Sequence, residues 1–370
     1  MIVSKEQKDF IFTKENRIRF LQAFAGTGKT STIKEYSKIF TNKSILYLSY
    51  NESVIKEAKQ KFPKNVSLYT FHSFAYSVVG KKYAHKLKNR ITPIRIVKAL
   101  LMPTNNKSLL LAKLLSLALE KFFNSEFYKV EDSFYLVKEH VKGLCSPDSF
   151  KGYLKVLWNR MDNLDNDFPI THDFYLKKLQ LSNYEINYDA ILIDECQDVN
   201  PTIKSIIFNG SKSDTEILLV GDKYQNIYSS FRYTENLFET CSSEDNLFKL
   251  TQTYRFGKKI SKEVSHYLKF LGEEDNIVGN PSINSSFDFI DFNSQYAVIS
   301  RNNVTLMGYA IKASRKNKKI FFLDNKKNEN IKKLLDIYYL HVNERDKIKN
   351  NEIKKFSNIQ YLENLHSKMT

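Results

Sequence analysis

The sequence predicts an open α/β fold with a parallel central sheet. Short apolar strand signals alternate with helical segments near the N-terminus, as in α/β proteins. Residues 189–193 and 216–220 are nearly continuous apolar runs, which is typical of strands covered on both faces of a parallel sheet. A Gly-containing turn also connects the first strand directly to a helix. These three observations favour a sheet with helices on both sides.

The elements follow in a simple order along the chain. Strands are predicted at 17–24, 44–49 and 66–69, with helices from about Lys29 and over 52–61. Apolar spacing of three and four then predicts helix from Phe71 to about Leu181, as an insertion into the sheet domain. A second β/α unit is expected after residue 250. Its strands are predicted near 287–292, 296–299 and 318–322, before a Lys-rich helical stretch from about Asn328.

The composition is strongly basic. The 370 residues include 57 Lys and Arg against 41 Asp and Glu, a formal net charge of +16. Such a balance favours a polyanionic partner, nucleic acid first. The alternative is that short lysine clusters form a solvated surface that serves solubility.

Cysteine usage and hydropathy limit the class of protein. The three cysteines, Cys145, Cys196 and Cys241, form no C-x-x-C pair, so neither a disulfide framework nor a zinc site is expected. The N-terminus shows no apolar run of signal-peptide type. The most apolar stretch, 108–123, contains three charged residues and falls short of the roughly 20 apolar residues that a bilayer requires. We therefore expect a cytoplasmic protein, or one at the nucleoid or in the nucleus with DNA, that has no membrane partner and is not secreted.

A phosphate-binding turn is predicted at the end of the first strand. The segment AFAGTGKT follows a strand and opens a helix, the context in which a Gly-rich turn cradles phosphates. Lys29 is expected to reach the β- and γ-phosphates, and the Thr30 hydroxyl to ligate Mg²⁺. The first glycine of the general pattern is Ala23 here. The predicted nucleotide-binding residues of the turn are Ala25, Gly26, Thr27, Gly28, Lys29 and Thr30.

The second half of the site is an acidic strand end. Asp194 and Glu195 follow the apolar run ILI, at the edge where open α/β sheets bind ligands. Asp194 is predicted to hold Mg²⁺, and Glu195 to orient or deprotonate the attacking water. The two elements together predict ATP hydrolysis with Mg²⁺.

Four segments in order resemble a known family. They are AFAGTGKT, LIDECQD, VGDKYQNIYSSFR and LTQTYRFG, and they resemble motifs of UvrD/Rep-like superfamily 1 DNA helicases. The likeness is closer to the F-box DNA helicase branch, through LYLSYNESVIKEAKQKFP, TFHSFAY, ITHDFYLKKLQLS, TQTYRFGKKI and VISRNN. The resemblance implies a P-loop NTPase (RecA-like) sheet domain and a partial second RecA-like domain.

The resemblance also implies roles for residues around the nucleotide. Gln7 would read adenine, although an ordinary surface glutamine is the other interpretation. Gln225 would sense the γ-phosphate, Tyr254 would pack on the adenine, and Arg255 would act as an arginine finger. With Lys29 and Glu195, Gln225 and Arg255 complete the expected catalytic set.

Single-stranded DNA, or a single-strand/duplex junction, is the partner that the resemblance implies. The family runs the strand across the tops of both sheet domains and moves 3′ to 5′. Aromatic side chains suit this task because every base offers a π-face. The residues that match DNA-side motifs are Asn51, Thr70, His72, Phe231, Arg232 and Arg301. For His72, a core histidine with satisfied hydrogen bonds is an equally good interpretation.

Two late motifs of the family have no counterpart in this sequence. Neither an Ala-Lys-Gly-Leu-Glu-type motif nor a final Thr-Arg-Ala-type motif follows Arg301, so the second motor domain is expected to be truncated. The expected division is 1–72 and 186–250 for the ATP-binding domain, 73–185 for the helical insertion, 251–327 for the partial second domain, and 328–370 for the start of a second insertion.

Three functions therefore stay open from sequence. The first is a DNA-dependent ATPase of helicase type, in replication, repair, or phage or anti-phage roles. The second is a regulator that binds ATP and DNA without motor activity. The third is one half of a split helicase, whose missing elements a partner protein supplies.

Overall fold

A computed structural model describes residues 3–226, 237–238, 243, 246–287, 293–300, 303–316, 318–321 and 328–356. The chain divides into two compact units, residues 1–287 and 288–370, and each is described by itself. None of the helices in the described ranges has the length and apolar character that crossing a bilayer requires.

The first unit is built on a parallel sheet, as the sequence predicts. Its strand order is β3-β2-β4-β5-β1-β6, and every neighbouring pair is parallel. Because β5 lies between β1 and β4, the carboxyl ends of these three strands share one edge. The strands are β1 Ile18–Ala23, β2 Ile45–Ser49, β3 Val66–Thr70, β4 Ala190–Asp194, β5 Glu216–Gly221 and β6 Leu247–Leu250.

Helices surround this sheet and fill the segment between β3 and β4. In the first unit they are α1 Lys5–Phe12, α2 Lys29–Ile39, α3 Glu52–Lys61, α4 Phe71–Ala75, α5 Pro93–Ala99, α6 Asn106–Phe123, α7 Lys138–Val141, α8 Pro147–Asp162, α9 His172–Leu181, α10 Pro201–Gly210 and α11 Lys258–Phe270. A π-helical turn, Tyr76–Gly80, follows α4 directly.

Alternation along the strands divides the core between the two faces of the sheet. In β4, Ile191 and Ile193 join the core on the side of α6, α8 and α9. Ala190 and Leu192 of the same strand join the core formed with α1, α2 and α3. Both faces are therefore covered, which explains why β4 and β5 read as continuous apolar runs.

The regular elements in the described part of the second unit are helices. It contains α12 Asn303–Arg315, α13 Asn328–His341 and α14 Asn351–Lys354. Leu340, Ile348 and Ile353 form a small core there, and the Asp336 carboxylate accepts hydrogen bonds from the amides of 349 and 350 at 3.0 and 2.8 Å.

The strands predicted after residue 250 are not found in this part of the chain. Residues 296–299 and 318–321 form no strand, so that expectation was wrong for these ranges. Ile299 is 95% exposed and Phe321 82% exposed, so neither side chain is covered as a strand residue in a sheet core would be. Of the strand predicted near 287–292, residue 287 is not in a strand and the others lie outside the described residues.

Candidate nucleotide site

The turn after β1 has the backbone of a phosphate loop. Gly26 and Gly28 have φ values of 77° and 96°, in the left-handed region where side chains are disfavoured. Gly28 caps α2 and offers no side chain to its amides. The first N–H groups of a helix have no intrahelical acceptor, so the start of α2 keeps its donors for a ligand.

The acidic end of β4 lies against this turn. The Lys29 Nζ atom lies 3.0 Å from Glu195 Oε2, and the Thr30 hydroxyl donates to Asp194 Oδ2 at 3.4 Å. Glu195 adopts a left-handed conformation with φ of 56°, which turns the chain sharply at the strand end. A lysine, a hydroxyl and two carboxylates are thus gathered at one edge of the sheet.

Burial dominates the electrostatics of the carboxylate at the strand end. Asp194 is 2% exposed, and this burial, together with the charge of Glu195, raises the pKa of the Asp194 carboxyl. The Tyr47 hydroxyl donates to Asp194 Oδ2 at 2.7 Å and acts in the opposite direction. Burial and the neighbouring Asp194 charge likewise raise the pKa of the Cys196 thiol, so this thiol stays protonated.

A chain of hydrogen bonds links Glu195 to the end of β5. Gln197 Nε2 donates to Glu195 Oε2 at 2.8 Å, and Gln197 Oε1 accepts from the Asp222 amide at 3.1 Å. Gln225 Nε2 donates to Asp222 Oδ2 at 2.7 Å. A Cβ on Gly221 would lie 2.4 Å from Gln197 Oε1, so only glycine lets the acidic turn close over β5 here.

The segment after β6 is fastened to the phosphate turn. The Thr253 hydroxyl donates to the Ala25 carbonyl and the Tyr254 amide to the Gly26 carbonyl, both at 2.8 Å. A Cβ on Gly26 would meet Arg255 Cβ at 2.5 Å. These contacts bring Tyr254 and Arg255 beside the turn, and both side chains are exposed.

Gln7 is buried and held in place, unlike an ordinary surface glutamine. It is 7% exposed, and its Nε2 donates to the Thr32 hydroxyl at 2.9 Å. A Cβ on Gly28 would lie 3.3 Å from this Nε2. The neighbouring Glu6 accepts from the Thr251 hydroxyl at 2.6 Å, so α1 also supports the segment that leads to Arg255.

Three predicted DNA contacts lie at or just beyond the ends of β2 and β3. Asn51 precedes α3 and is exposed. Thr70 caps α4, and its hydroxyl accepts from the Ser73 amide at 3.0 Å. The His72 ring forms a hydrogen bond with a residue of the helical insertion. The other three, Phe231, Arg232 and Arg301, lie outside the described residues.

Sequence reasoning missed three residues of this site. Tyr47 sits within an apolar strand, and Gln197 and Asp222 stand inside the motifs LIDECQD and VGDKYQ without an assigned role. The one signal in the sequence was the polar hydroxyl of Tyr47 within an apolar run. The partners of Gln197 and Asp222 depend on which strands are neighbours, which the motifs do not state.

The fold and the site define a P-loop NTPase. A Gly-rich turn between β1 and α2 faces an acidic end of β4 on one edge of a parallel sheet. The chain belongs to the AAA domain family, whose model matches residues 7–231.

Curated relatives extend the comparison to helicases. F-box DNA helicase 1 of Gallus gallus is 31% identical over 351 residues, covering 88% of this chain and 34% of that protein. F-box DNA helicase protein 1 of Schizosaccharomyces pombe is 26% identical, covering 84% and 39%. A probable DNA helicase II homolog of Mycoplasma pneumoniae is 23% identical, covering 74% and 43%.

These relatives confirm the resemblance that the motifs predict. The chain is related to superfamily 1 helicases, through the F-box branch. It spans between 34% and 43% of the length of these three relatives. A solved structure of VirB4 from Thermoanaerobacter pseudethanolicus, with 11% identity and a TM-score of 0.24 over 70% of this chain and 83% of that chain, is too distant to inform the fold.

Proposed function

We propose that this chain is an ATP-dependent DNA helicase or translocase of superfamily 1, which hydrolyses ATP with Mg²⁺ on binding single-stranded DNA and moves 3′ to 5′. The observation that carries the proposal is the meeting of two motifs distant in sequence. Lys29 lies 3.0 Å from Glu195, and the Thr30 hydroxyl 3.4 Å from Asp194. The names of the relatives, all DNA helicases, support DNA as the partner.

The residues present suit a triphosphate and a magnesium ion. The amides at the start of α2 have no side-chain cap and can donate to phosphate oxygens. The Thr30 hydroxyl and the Asp194 carboxylate are oxygen donors at 3.4 Å from one another, the ligand type that Mg²⁺ prefers. When bound, Mg²⁺ would neutralise negative charge on the phosphates.

The protein's own groups would then divide the work. Lys29 is paired with Glu195 here, and phosphate binding would draw the ammonium away and leave the carboxylate to orient or deprotonate water. Gln225, which Asp222 holds, would sense the γ-phosphate. Arg255 would stabilise charge that develops on the transferred group.

Adenine and DNA contacts complete the proposal. Gln7 would read the adenine edge and Tyr254, 54% exposed, would pack on its face. We assign residues 1–72 and 186–250 to the ATP-binding domain, 73–185 to the helical insertion, 251–327 to the second domain and 328–370 to a further insertion. Single-stranded DNA would contact Asn51, Thr70, His72, Phe231, Arg232 and Arg301.

The test is ATPase activity of the purified chain with and without single-stranded DNA. DNA should stimulate turnover, and Lys29→Ala should lower it by at least about 100-fold because charge stabilisation at the phosphates is lost. Lys38→Ala, on the same helix and paired with Glu35 at 2.9 Å, is the matched control and should behave as wild type. Glu195→Gln should keep nucleotide binding and slow hydrolysis by about 100- to 10,000-fold.

The outcomes separate the functions. Unchanged turnover in Lys29→Ala would refute the nucleotide site itself. Tight DNA binding by a chain that hydrolyses no ATP would refute the motor and favour a regulator. Strand separation on a 3′-tailed duplex, with none on a 5′-tailed duplex, is the expected result for the direction of movement.

A further inference from the structure

The motif ITHDFYLKKLQLS, residues 170–182, has no part in the nucleotide site. It forms the start and body of α9, in the helical segment between β3 and β4. Its polar side chains are nevertheless engaged in specific contacts. One of these contacts reaches back to His72, a residue that the proposed function places against DNA.

His72 is oriented by the first turn of α9. Its Nε2 lies 2.9 Å from Asp173 Oδ1. Because a carboxylate can only accept, Nε2 must carry the proton. Nδ1 then has no hydrogen-bond partner in the described part of the chain, and the His72 side chain is 32% exposed. The carboxylate thus fixes both the tautomer and the direction of the ring.

A second layer of rings packs behind this pair. His172 Nδ1 lies 2.7 Å from the Tyr175 hydroxyl, and the His72 and His172 rings are 6.3 Å apart and nearly perpendicular. Tyr175 packs edge-on against Tyr76 of the π-helical turn at 5.6 Å. A Cβ on Gly80 would lie 2.8 Å from the Tyr76 ring and 3.1 Å from the Tyr175 ring. Glycine there allows both tyrosines to support the histidines.

The rest of α9 is held firmly, so Asp173 has a fixed place. Lys177 is fully buried; its Nζ donates to the Ser125 carbonyl at 2.9 Å and lies 4.3 Å from the centre of the Phe122 ring. A helix anchored at Lys177 can hold the imidazole still while a ligand binds it.

We propose that Asp173 is a positioning residue for nucleic-acid binding, which acts through His72 with support from His172 and Tyr175. This inference rests on the proposed function, since it needs the exposed His72 ring to meet single-stranded DNA. The DNA contact of the ATP-binding domain would then depend on a carboxylate of the helical insertion. The ring would offer its exposed edge, with Nδ1, to the strand.

The test is a double-mutant cycle on single-stranded DNA affinity. Asp173→Asn, His72→Asn and the double variant are titrated with a fluorescent oligodeoxythymidine in the absence of nucleotide, at several pH values. Asp173→Asn should weaken binding by about three- to ten-fold, as expected for a partly exposed charged hydrogen bond. In the His72→Asn background the same change should have almost no effect.

Lys178→Gln is the matched control. It breaks an ion pair of 2.9 Å on the same helix without touching His72, and should bind DNA as wild type does. A shift in the pH profile of binding in Asp173→Asn, and not in Lys178→Gln, would support positioning over mere stability of α9.

The failures are distinguishable. A wild-type chain that binds no single-stranded DNA would overturn the proposed function and this inference with it. Wild-type binding together with additive effects of the two substitutions would overturn the role of Asp173 alone. Equal losses in Asp173→Asn and Lys178→Gln would do the same, because they would reduce Asp173 to a structural anchor.

Discussion

Gly26→Ala tests how tightly the segment that carries Arg255 is fastened to the phosphate turn. The φ of 77° disfavours any side chain, by about 1–2 kcal/mol. The new methyl would also lie 2.5 Å from Arg255 Cβ and 2.8 Å from the Thr253 hydroxyl, and overpacking of this kind costs about 1–3 kcal/mol. The free energy of unfolding should therefore fall by about 2–5 kcal/mol.

Gly143→Ala separates the two causes. Gly143 has a φ of 79°, but no atom lies within 4 Å of the position of its Cβ. This variant should lose only the conformational contribution, about 1–2 kcal/mol. Urea unfolding of both variants, followed by circular dichroism, measures the difference. Equal losses would mean that the Thr253 and Arg255 contacts do not constrain the turn, and the reasoning would be wrong.

Two further predictions concern buried ionisable groups. Burial lowers the pKa of Lys177 to about 7, against the pull of Glu126, so the folded state loses stability as the pH falls from the ordinary value of 10.5 towards 7. Relative to the wild type, Lys177→Met should therefore be stabilised more at pH 6 than at pH 9. A difference in Tm between variant and wild type that does not depend on pH would contradict this. Burial raises the pKa of Glu273, but hydrogen bonds, first of all from Lys249, outweigh it and lower this pKa to about 2. The stability that the Glu273 carboxylate contributes is therefore fully present above pH 4.5 and is lost as the pH falls through 2. Glu273→Gln should cost about 1–3 kcal/mol in urea unfolding at pH 7, and this difference should shrink towards pH 3; a constant difference would exclude the assigned pKa.

Five of the six described strands were predicted from sequence to within about a residue. The apolar runs of β4 and β5 are nearly continuous because both faces of the sheet are covered there. The strand β6 was missed because only its last residue, Leu250, is fully buried and Lys249 stands within it. The sequence of such an edge strand shows neither an alternation of apolar and polar residues nor a continuous apolar run.

The motifs of the candidate site could be predicted from the sequence, but the hydrogen bonds that connect them could not. The phosphate turn and the acidic strand end each carry a local pattern. The bond from Tyr47 to Asp194 exists because β2 lies beside β4 with Leu48 opposite Ile193. The path from Glu195 through Gln197 to Asp222 likewise needs β4 and β5 as neighbours. Strand order is a property of the whole fold, so no short motif could reveal these partners.

The position of β6 has a consequence for how the nucleotide site can open. Its residues 247–250 run alongside Phe20–Ala23 of β1, and the two strands lead straight into Thr253 and the phosphate turn. The backbone bond from Tyr254 to Gly26 and the bond from Thr253 to Ala25 join them again beyond the sheet. The segment that carries Arg255 is therefore tied to the phosphate turn at two points. Separating them requires breaking two hydrogen bonds of about 1 kcal/mol each.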